Sequence, residues 1–446
     1  MTSAAEPPSY VDHHTLERAP TYRAEPHIDE ARIAFGLRNR TLPTGNFIKE
    51  SKGGGVILRL NAQKDNVEVP VYGINGQVDG VIELLKTEAV ESVEVKIEGH
   101  LSVKELGEGG SSTALLCLDS RKLWEKSSQS STCPASLRFS LGLPASFEHE
   151  KKTYPLPPSF HVKLSGLPGF VATIDYSVSA IVVKPQTAPV GHVKIQAHFN
   201  TIGINIGTTI VSTPFLYHPR SRSAVALPAP LQYVHKEFEP TSEWKTIESV
   251  MQSRSTSRPD IVTKLYIPSS RTYCISQQIP FHLTIQSKSS VSLAAFLPYS
   301  PTGNKSSKKI TQIQLLRQTS VDVNSQRPGV EDHAHPKSAR TDMWRIDCIG
   351  EGIFRHVGDD QTWICYSGEI RIDPTMKLTG FRAAALSVKD SLLFTITPPE
   401  VTRSPFWELR EAIPIRLTTD PWTPDDNNIA GEKESILESG TPPDNS

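Results

Sequence analysis

The stretch Val93–Lys104, VEVKIEGHLSVK, decides the fold class. Val93, Val95, Ile97, Leu101 and Val103 alternate with Glu94, Lys96, Glu98, Ser102 and Lys104. In an extended chain, successive side chains point to opposite faces, so this segment has one apolar face and one wet face. Outward from it the pattern recurs. Ile174, Tyr176, Val178, Ala180 and Val182 alternate with Asp175, Ser177 and Ser179, and Val193, Ile195, Ala197 and Phe199 repeat the spacing. It returns with Phe281, Leu283 and Ile285, then Leu392, Phe394 and Ile396, then Ile413, Ile415 and Leu417. Turn signals punctuate the runs at Asn75-Gly76, Gly107 to Ser112, Pro168-Gly169 and Pro301 to Lys309. Half-buried antiparallel strands are the simplest cause. Helical spacing occurs at Trp244, Ile247, Val250 and Met251, after Thr241 and Ser242 as caps, and predicts one short connecting helix.

A chain of 446 residues is long for one domain and comfortable for two with tails. Its 35 prolines disfavour a helix-rich body, because interior proline removes a helix hydrogen bond and clashes with the preceding turn. The expected class is all-β: two tandem immunoglobulin-like β-sandwich domains with disordered N- and C-terminal tails. The expected boundaries are a disordered arm over 1–30, a first sandwich over 31–205, a connector over 206–260, a second sandwich over 261–420 and an acidic tail over 421–446. The connector stands out by its Pro, Ser and Arg content.

A formal net charge of −1 supplies no global pull toward nucleic acid or anionic lipid. The segment at residues 1–14 lacks a basic region followed by an apolar one, so no secretory signal is expected. No run of about 18 apolar residues marks a membrane span, and the expected location is cytoplasmic. Cys117, Cys133, Cys274, Cys348 and Cys365 are odd in number, widely spaced and without a CxxC pair. They read as small buried hydrophobes rather than a disulfide frame or a zinc site. No G-x-S-x-G elbow occurs, and Gly107-Glu108-Gly109-Gly110 lacks the Gly-Lys-Ser/Thr that a phosphate loop requires. The chain is therefore expected not to be an enzyme, and to need neither a cofactor nor a small-molecule substrate. His333 and His335, beside Glu331 and Asp332, could chelate a metal but sit in a long polar insertion without a fixed third ligand, so no metal is expected.

The sharpest short motif is Pro7-Pro8-Ser9-Tyr10, a PPxY sequence. Its prolines preset a polyproline II conformation, so little entropy is lost on docking into the aromatic-lined groove of a WW domain, and the tyrosine fixes direction. Pro20-Thr21-Tyr22 is a candidate for a degenerate second copy that would add avidity, but it lacks one proline and reads more readily as ordinary tail sequence. Pro157-Pro158-Ser159-Phe160 has Phe where the motif needs Tyr and adjoins strands, so it reads as domain structure.

Several longer segments resemble the fungal arrestin-like proteins, the α-arrestin or arrestin-related trafficking adaptor family. Tyr72 to Val103, Leu156 to Phe160 and Tyr176 to Lys184 are similar to that family's N-terminal domain. Phe215 to Arg222 looks like the segment leading out of it. Leu265 to Ile285 resembles the opening of the C-terminal domain, and Gly368 to Pro374 with Ile413 to Leu417 resemble its close. The resemblance implies an arrestin fold and an adaptor that links membrane-protein cargo tails to a WW-domain HECT-type ubiquitin ligase in endocytosis and sorting. It implies recruitment to plasma membrane or endosomes through partners, while the near-zero net charge gives no expectation of nucleic-acid binding. By the same resemblance Lys151-Lys152 and Lys308-Lys309 become candidate anion contacts, although lysine pairs in polar loops are usually solvated. Arg220 and Arg222 are expected to anchor the connector. The alternative is a β-sandwich scaffold of a vesicle coat, of the retromer-subunit kind, with no ubiquitin link.

Overall fold

The computed structural model describes residues 43–107, 110–127, 132–185, 207–256, 258–288, 293–296, 309–323, 341–398 and 402–424. All of them lie in one compact unit beginning at Pro43. Alternation becomes strand along the chain. The first group is β1 (Gly45–Glu50), β2 (Val56–Gln63), β3 (Val71–Tyr72), β4 (Gln77–Leu84), β5 (Ser92–Leu106) and β6 (Ser111–Glu125). It continues with β7 (Ser136–Gly142), β8 (Ser146–His149), β9 (Lys152–Pro155), β10 (Phe160–Leu164), β11 (Gly169–Val183) and β12 (Thr208–Tyr217). A small hairpin, β13 (Tyr233–Val234) and β14 (Glu237–Phe238), follows. The second group is β15 (Trp244–Met251), β16 (Ile261–Pro268), β17 (Thr272–Cys274), β18 (Ile279–Ser287) and β19 (Thr311–Val323). It ends with β20 (Thr341–Asp359), β21 (Trp363–Ile372), β22 (Phe381–Ala383), β23 (Leu386–Ile396) and β24 (Leu409–Thr418).

The first group makes a sandwich. One sheet runs β1-β2-β4-β7 and the other β3-β12-β11-β5-β6, with β10 extending β11. The Val93–Lys104 segment of β5 lies at its centre. Val93, Val95 and Ile97 are fully buried and stand in register with Val182, Ala180 and Val178 of β11. Leu58, Leu60, Val78 and Ile82 close the core from the other sheet. Pro157-Pro158-Ser159-Phe160 is built into this sandwich, where the Pro157 carbonyl accepts the Tyr176 hydroxyl at 2.6 Å and Ser159 Oγ accepts the Tyr217 amide at 2.9 Å.

The second group forms one hydrogen-bonded path, β15-β16-β18-β21-β20-β19-β23-β24-β17, that curls over a core of its own. Across its middle, Phe281 of β18, Gly368 of β21 and Phe354 of β20 lie in one row. The two rings meet edge to face at 5.0 Å, and a Cβ on Gly368 would lie 2.3 Å from both Phe281 Cζ and the Ile353 carbonyl oxygen. Glycine here makes room for two aromatic rings, each contributing about 2–3 kcal/mol on burial.

Two expectations change. Residues 244–251 are the edge strand β15, paired with β16 from Trp244↔Pro268 to Met251↔Ile261, and not a helix. Thr246, Ile247 and Val250 are β-branched and favour a strand, and Val250 is exposed where the helical reading would bury it. The segment between the sandwiches is also shorter than 206–260. Strands take up 208–217 on one side and 244–251 on the other, leaving residues 218–243. The expected strand at Val193–Phe199 lies outside the described residues. All five cysteines are free thiols; Cys117, Cys133, Cys274 and Cys365 are buried as expected, but Cys348 is exposed.

Candidate functional site at the seam between the sandwiches

Three strands of the second sandwich run beyond their own core and help close the first. On the inward face of β19, Ile313 and Leu315 belong to the second core, whereas Val321 joins the first. Along β23, Ile396, Phe394 and Leu392 belong to the second core and Leu386 to the first. Met343 of β20 makes the same crossing from a strand whose Ile349 and Phe354 belong to the second core, and Ala383 of the short β22 joins the first core. Phe160 of β10 meets Phe381 edge to face at 5.1 Å, and Arg345 Nη1 donates to the Lys163 carbonyl at 2.8 Å.

Between the two sets of apolar side chains lies an ion pair. Arg317 and Asp390 are direct cross-strand neighbours on β19 and β23, joined by Nε–Oδ1 at 2.7 Å and Nη2–Oδ2 at 2.9 Å. Their side chains are 6% and 1% exposed. Taking two charges from water is costly, and bidentate geometry of this kind is what offsets it. The pair forms a polar layer separating two hydrophobic cores on shared strands.

A second polar contact latches the chain segments that leave each sandwich. Arg220, just after β12, donates to Asp420, just after β24, with Nε–Oδ2 at 2.9 Å and Nη2–Oδ1 at 2.5 Å. Ser221 N donates to Thr419 Oγ1 at 2.8 Å, and the Ser221 carbonyl accepts from the amides of Thr419 and Asp420. Arg222 Nη1 donates to Thr423 Oγ1 at 3.1 Å. Both arginines therefore anchor the start of the connector.

The connector then straps the outer face of β16, β18 and β21. Its Leu231 and Phe238 form a third cluster with Trp244, Tyr266, Trp363 and Cys365. His282 lies among them, its ring 4.5 Å from that of Phe238 and 4.8 Å from that of Trp244. The Leu231 amide donates to His282 Nε2 at 3.1 Å, which places the imidazole proton on Nδ1, 2.8 Å from Ser367 Oγ. Burial pushes the His282 imidazole down to about 4. Trp244 Nε1 donates to the Ala229 carbonyl at 3.0 Å, and the strap hairpin is held by the ion pairs Lys264–Glu237 and Lys236–Asp360.

The chemistry of the seam is mechanical. Bidentate ion pairs, backbone hydrogen bonds and a neutral histidine fix the two sandwiches and the strap together. Neither a protein-family model nor a curated protein matches this chain.

Pro7, Pro8, Ser9, Tyr10, Pro20, Tyr22 and Lys308 lie outside the described residues, as do His333 and His335. Lys151 is exposed in the turn of the β8–β9 hairpin, where Glu150 and Lys151 both take positive φ, and Lys152 is exposed at the start of β9. Lys309 belongs to the other sandwich, and its ammonium is 2.5 Å from Glu351. The structure thus brings neither Lys151 nor Lys152 together with Lys309 in one sandwich. Among the described residues no group of three His, Cys, Asp or Glu side chains is placed to hold a metal ion, and no helix is long and apolar enough to cross a membrane.

The residues that build the seam left a signal in the sequence. Arg317 and Asp390 each occupy a core-facing position of an alternating strand, one positive and one negative. Opposite charges at interior positions of two strands mark a buried pair before any contact is seen.

Proposed function

We propose that this chain is an arrestin-like adaptor that links membrane-protein cargo to a WW-domain HECT-type ubiquitin ligase in endocytosis and sorting. The observation that carries the reading is the Pro7-Pro8-Ser9-Tyr10 sequence, placed ahead of a body made of two tandem β-sandwiches. A WW groove takes two prolines in polyproline II form and a tyrosine in the adjoining pocket, and the motif supplies all three. The resemblance of Tyr72 to Val103 and Leu265 to Ile285 to fungal arrestin-like proteins supports the adaptor role. The mechanism is tethering: one part of the body holds the cargo, the motif holds the ligase, and the local concentration of ligase near cargo lysines rises. Recruitment to plasma membrane or endosomes follows from the cargo rather than from a membrane-spanning segment.

Retention of the full chain on immobilised WW domains tests the ligase contact. Tyr10→Ala is expected to cost about 2 kcal/mol or more, roughly thirtyfold in affinity, as for a buried aromatic anchor. Equal retention of wild type and Tyr10→Ala would remove the proposed contact.

A further inference from the structure

Among the described residues, strand β20 has a neighbour on both sides along only half its length. From Gly350 to Asp359 it pairs with β21, and the Ile349 carbonyl accepts from the Asp373 amide at 2.8 Å, but from Thr341 to Cys348 its described strand partner is β19 alone. That open half presents Trp344 and Ile346 on its outward face, 56% and 54% exposed, followed by the exposed Cys348. Unpaired backbone beside large apolar side chains is a template for another strand, and soluble proteins usually blunt it. The edge strand β6 shows the blunting. There Asp119 and Arg121 stand opposite the buried Ile97 and Val95, so charges occupy the core-facing side of that edge. The described part of β20's open half carries no proline, and the bulge at Ile349 lies only at its end. Beyond Asp342 at its start, its charges are Arg345 and Asp347, of opposite sign.

We propose that this edge pairs with the same edge of a second copy of the chain, antiparallel and about a two-fold axis at Ile346. Self-complementarity selects both the partner and the register. An axis perpendicular to the sheet keeps the outward apolar faces continuous and must pass through one residue of the strand. Centred on Arg345, it would set two guanidinium groups opposite each other, and centred on Asp347, two carboxylates. Centred on Trp344, it would set Arg345 against Met343 and leave the charge without a cross-strand counter-ion. Centred on Ile346, it sets Arg345 against Asp347 twice, Ile346 against Ile346 and Trp344 against Cys348. Opposite charges and apolar pairs directly across a ladder stabilise it, and like charges there destabilise it. This inference stands apart from the adaptor reading and does not depend on it.

Sedimentation velocity of the full chain over a range of concentrations tests the pairing. A reversible dimer is expected. Ile346→Lys, a surface change that sets two ammonium groups opposite each other at the axis, is expected to weaken the dimer at least about tenfold. Arg345→Asp is expected to weaken it likewise, and Asp347→Arg added to that variant to restore it. If Arg345→Asp loosens the contact with Lys163 and fails to fold, Ile346→Lys still decides the matter. In a Cys348→Ser background, Ile346→Cys is expected to give a disulfide-linked dimer under mild oxidation. A monomer at every concentration, or a dimer indifferent to Ile346→Lys, overturns the proposal.

Discussion

Arg317→Ala is expected to destabilise the chain by about 3–5 kcal/mol in denaturant unfolding, because it strands the Asp390 carboxylate in an apolar layer. Asp390 is 1% exposed at its side chain and both its oxygens receive guanidinium hydrogen bonds. Water does not replace that partner without opening the seam. Ala at 317 also leaves a cavity between Leu315 and Thr319 on the inward face of β19, which adds to the loss. The matched change of both residues, Arg317→Met with Asp390→Leu, is expected to fall within about 1 kcal/mol of wild type or to exceed it, since neither charge is then buried. The contrast separates a pair kept for placement from one kept for stability. If Arg317→Ala costs less than about 1 kcal/mol, the polar layer is open to water and does not separate the two cores as described.

The second large effect is a dependence on pH. In the folded chain His282 titrates near 4, depressed by burial, against an ordinary value of 6.5. Its stabilising contribution is therefore complete above pH 6.5. As pH falls from 6.5 to 4 the unfolded chain binds a proton that the folded chain does not, and stability is lost throughout that window. Below 4 both states carry the proton and the loss stops growing. The full difference corresponds to about 3 kcal/mol. Protonation also removes the acceptor for the Leu231 amide, so the strap over β16, β18 and β21 is the part expected to loosen first. His282→Gln keeps an acceptor near Leu231 without titrating, and its unfolding free energy is expected to be flatter between pH 6.5 and 4. His218 is depressed in the same direction, by its burial and then by Lys377, and remains in both proteins. The difference between them isolates His282. Parallel curves for the two would show that the histidine is hydrated and does not hold the strap.

Strand class was legible because burial on one face writes a period of two into the sequence. Val93–Val103, Ile174–Val182 and Phe281–Ile285 all become strands, with the alternate residues buried as read. The segment 244–251 misled for a physical reason. Trp244, Ile247 and Met251 fit a helical face, yet an edge strand with one neighbour buries only part of its side chains, so its period is blurred. β18 shows the opposite blurring. His282 and Thr284 are buried along with Phe281, Leu283 and Ile285, because the connector covers the face that alternation assigns to water. Nothing local in β18 encodes a cover that comes from residues 229–238. The seam was half legible. Arg317 and Asp390 each sat at an interior position, but that the two strands are neighbours is a matter of topology, and so is the free edge at Trp344 and Ile346. Arg220 and Arg222 were expected to anchor the connector, and their partners Asp420 and Thr423 come from the far end of the chain.

The adaptor reading predicts that ligase and cargo both come close to this chain in cells and that only the ligase depends on the leading segment. Proximity labelling by the full chain, with and without residues 1–30, measures the two together. The expected result is labelling of a WW-domain HECT-type ligase and of membrane proteins by the intact chain, with the ligase lost and the membrane proteins kept after the deletion. Ligase labelling that survives removal of Pro7–Tyr10, or coat subunits in place of ligase and cargo, would contradict the account.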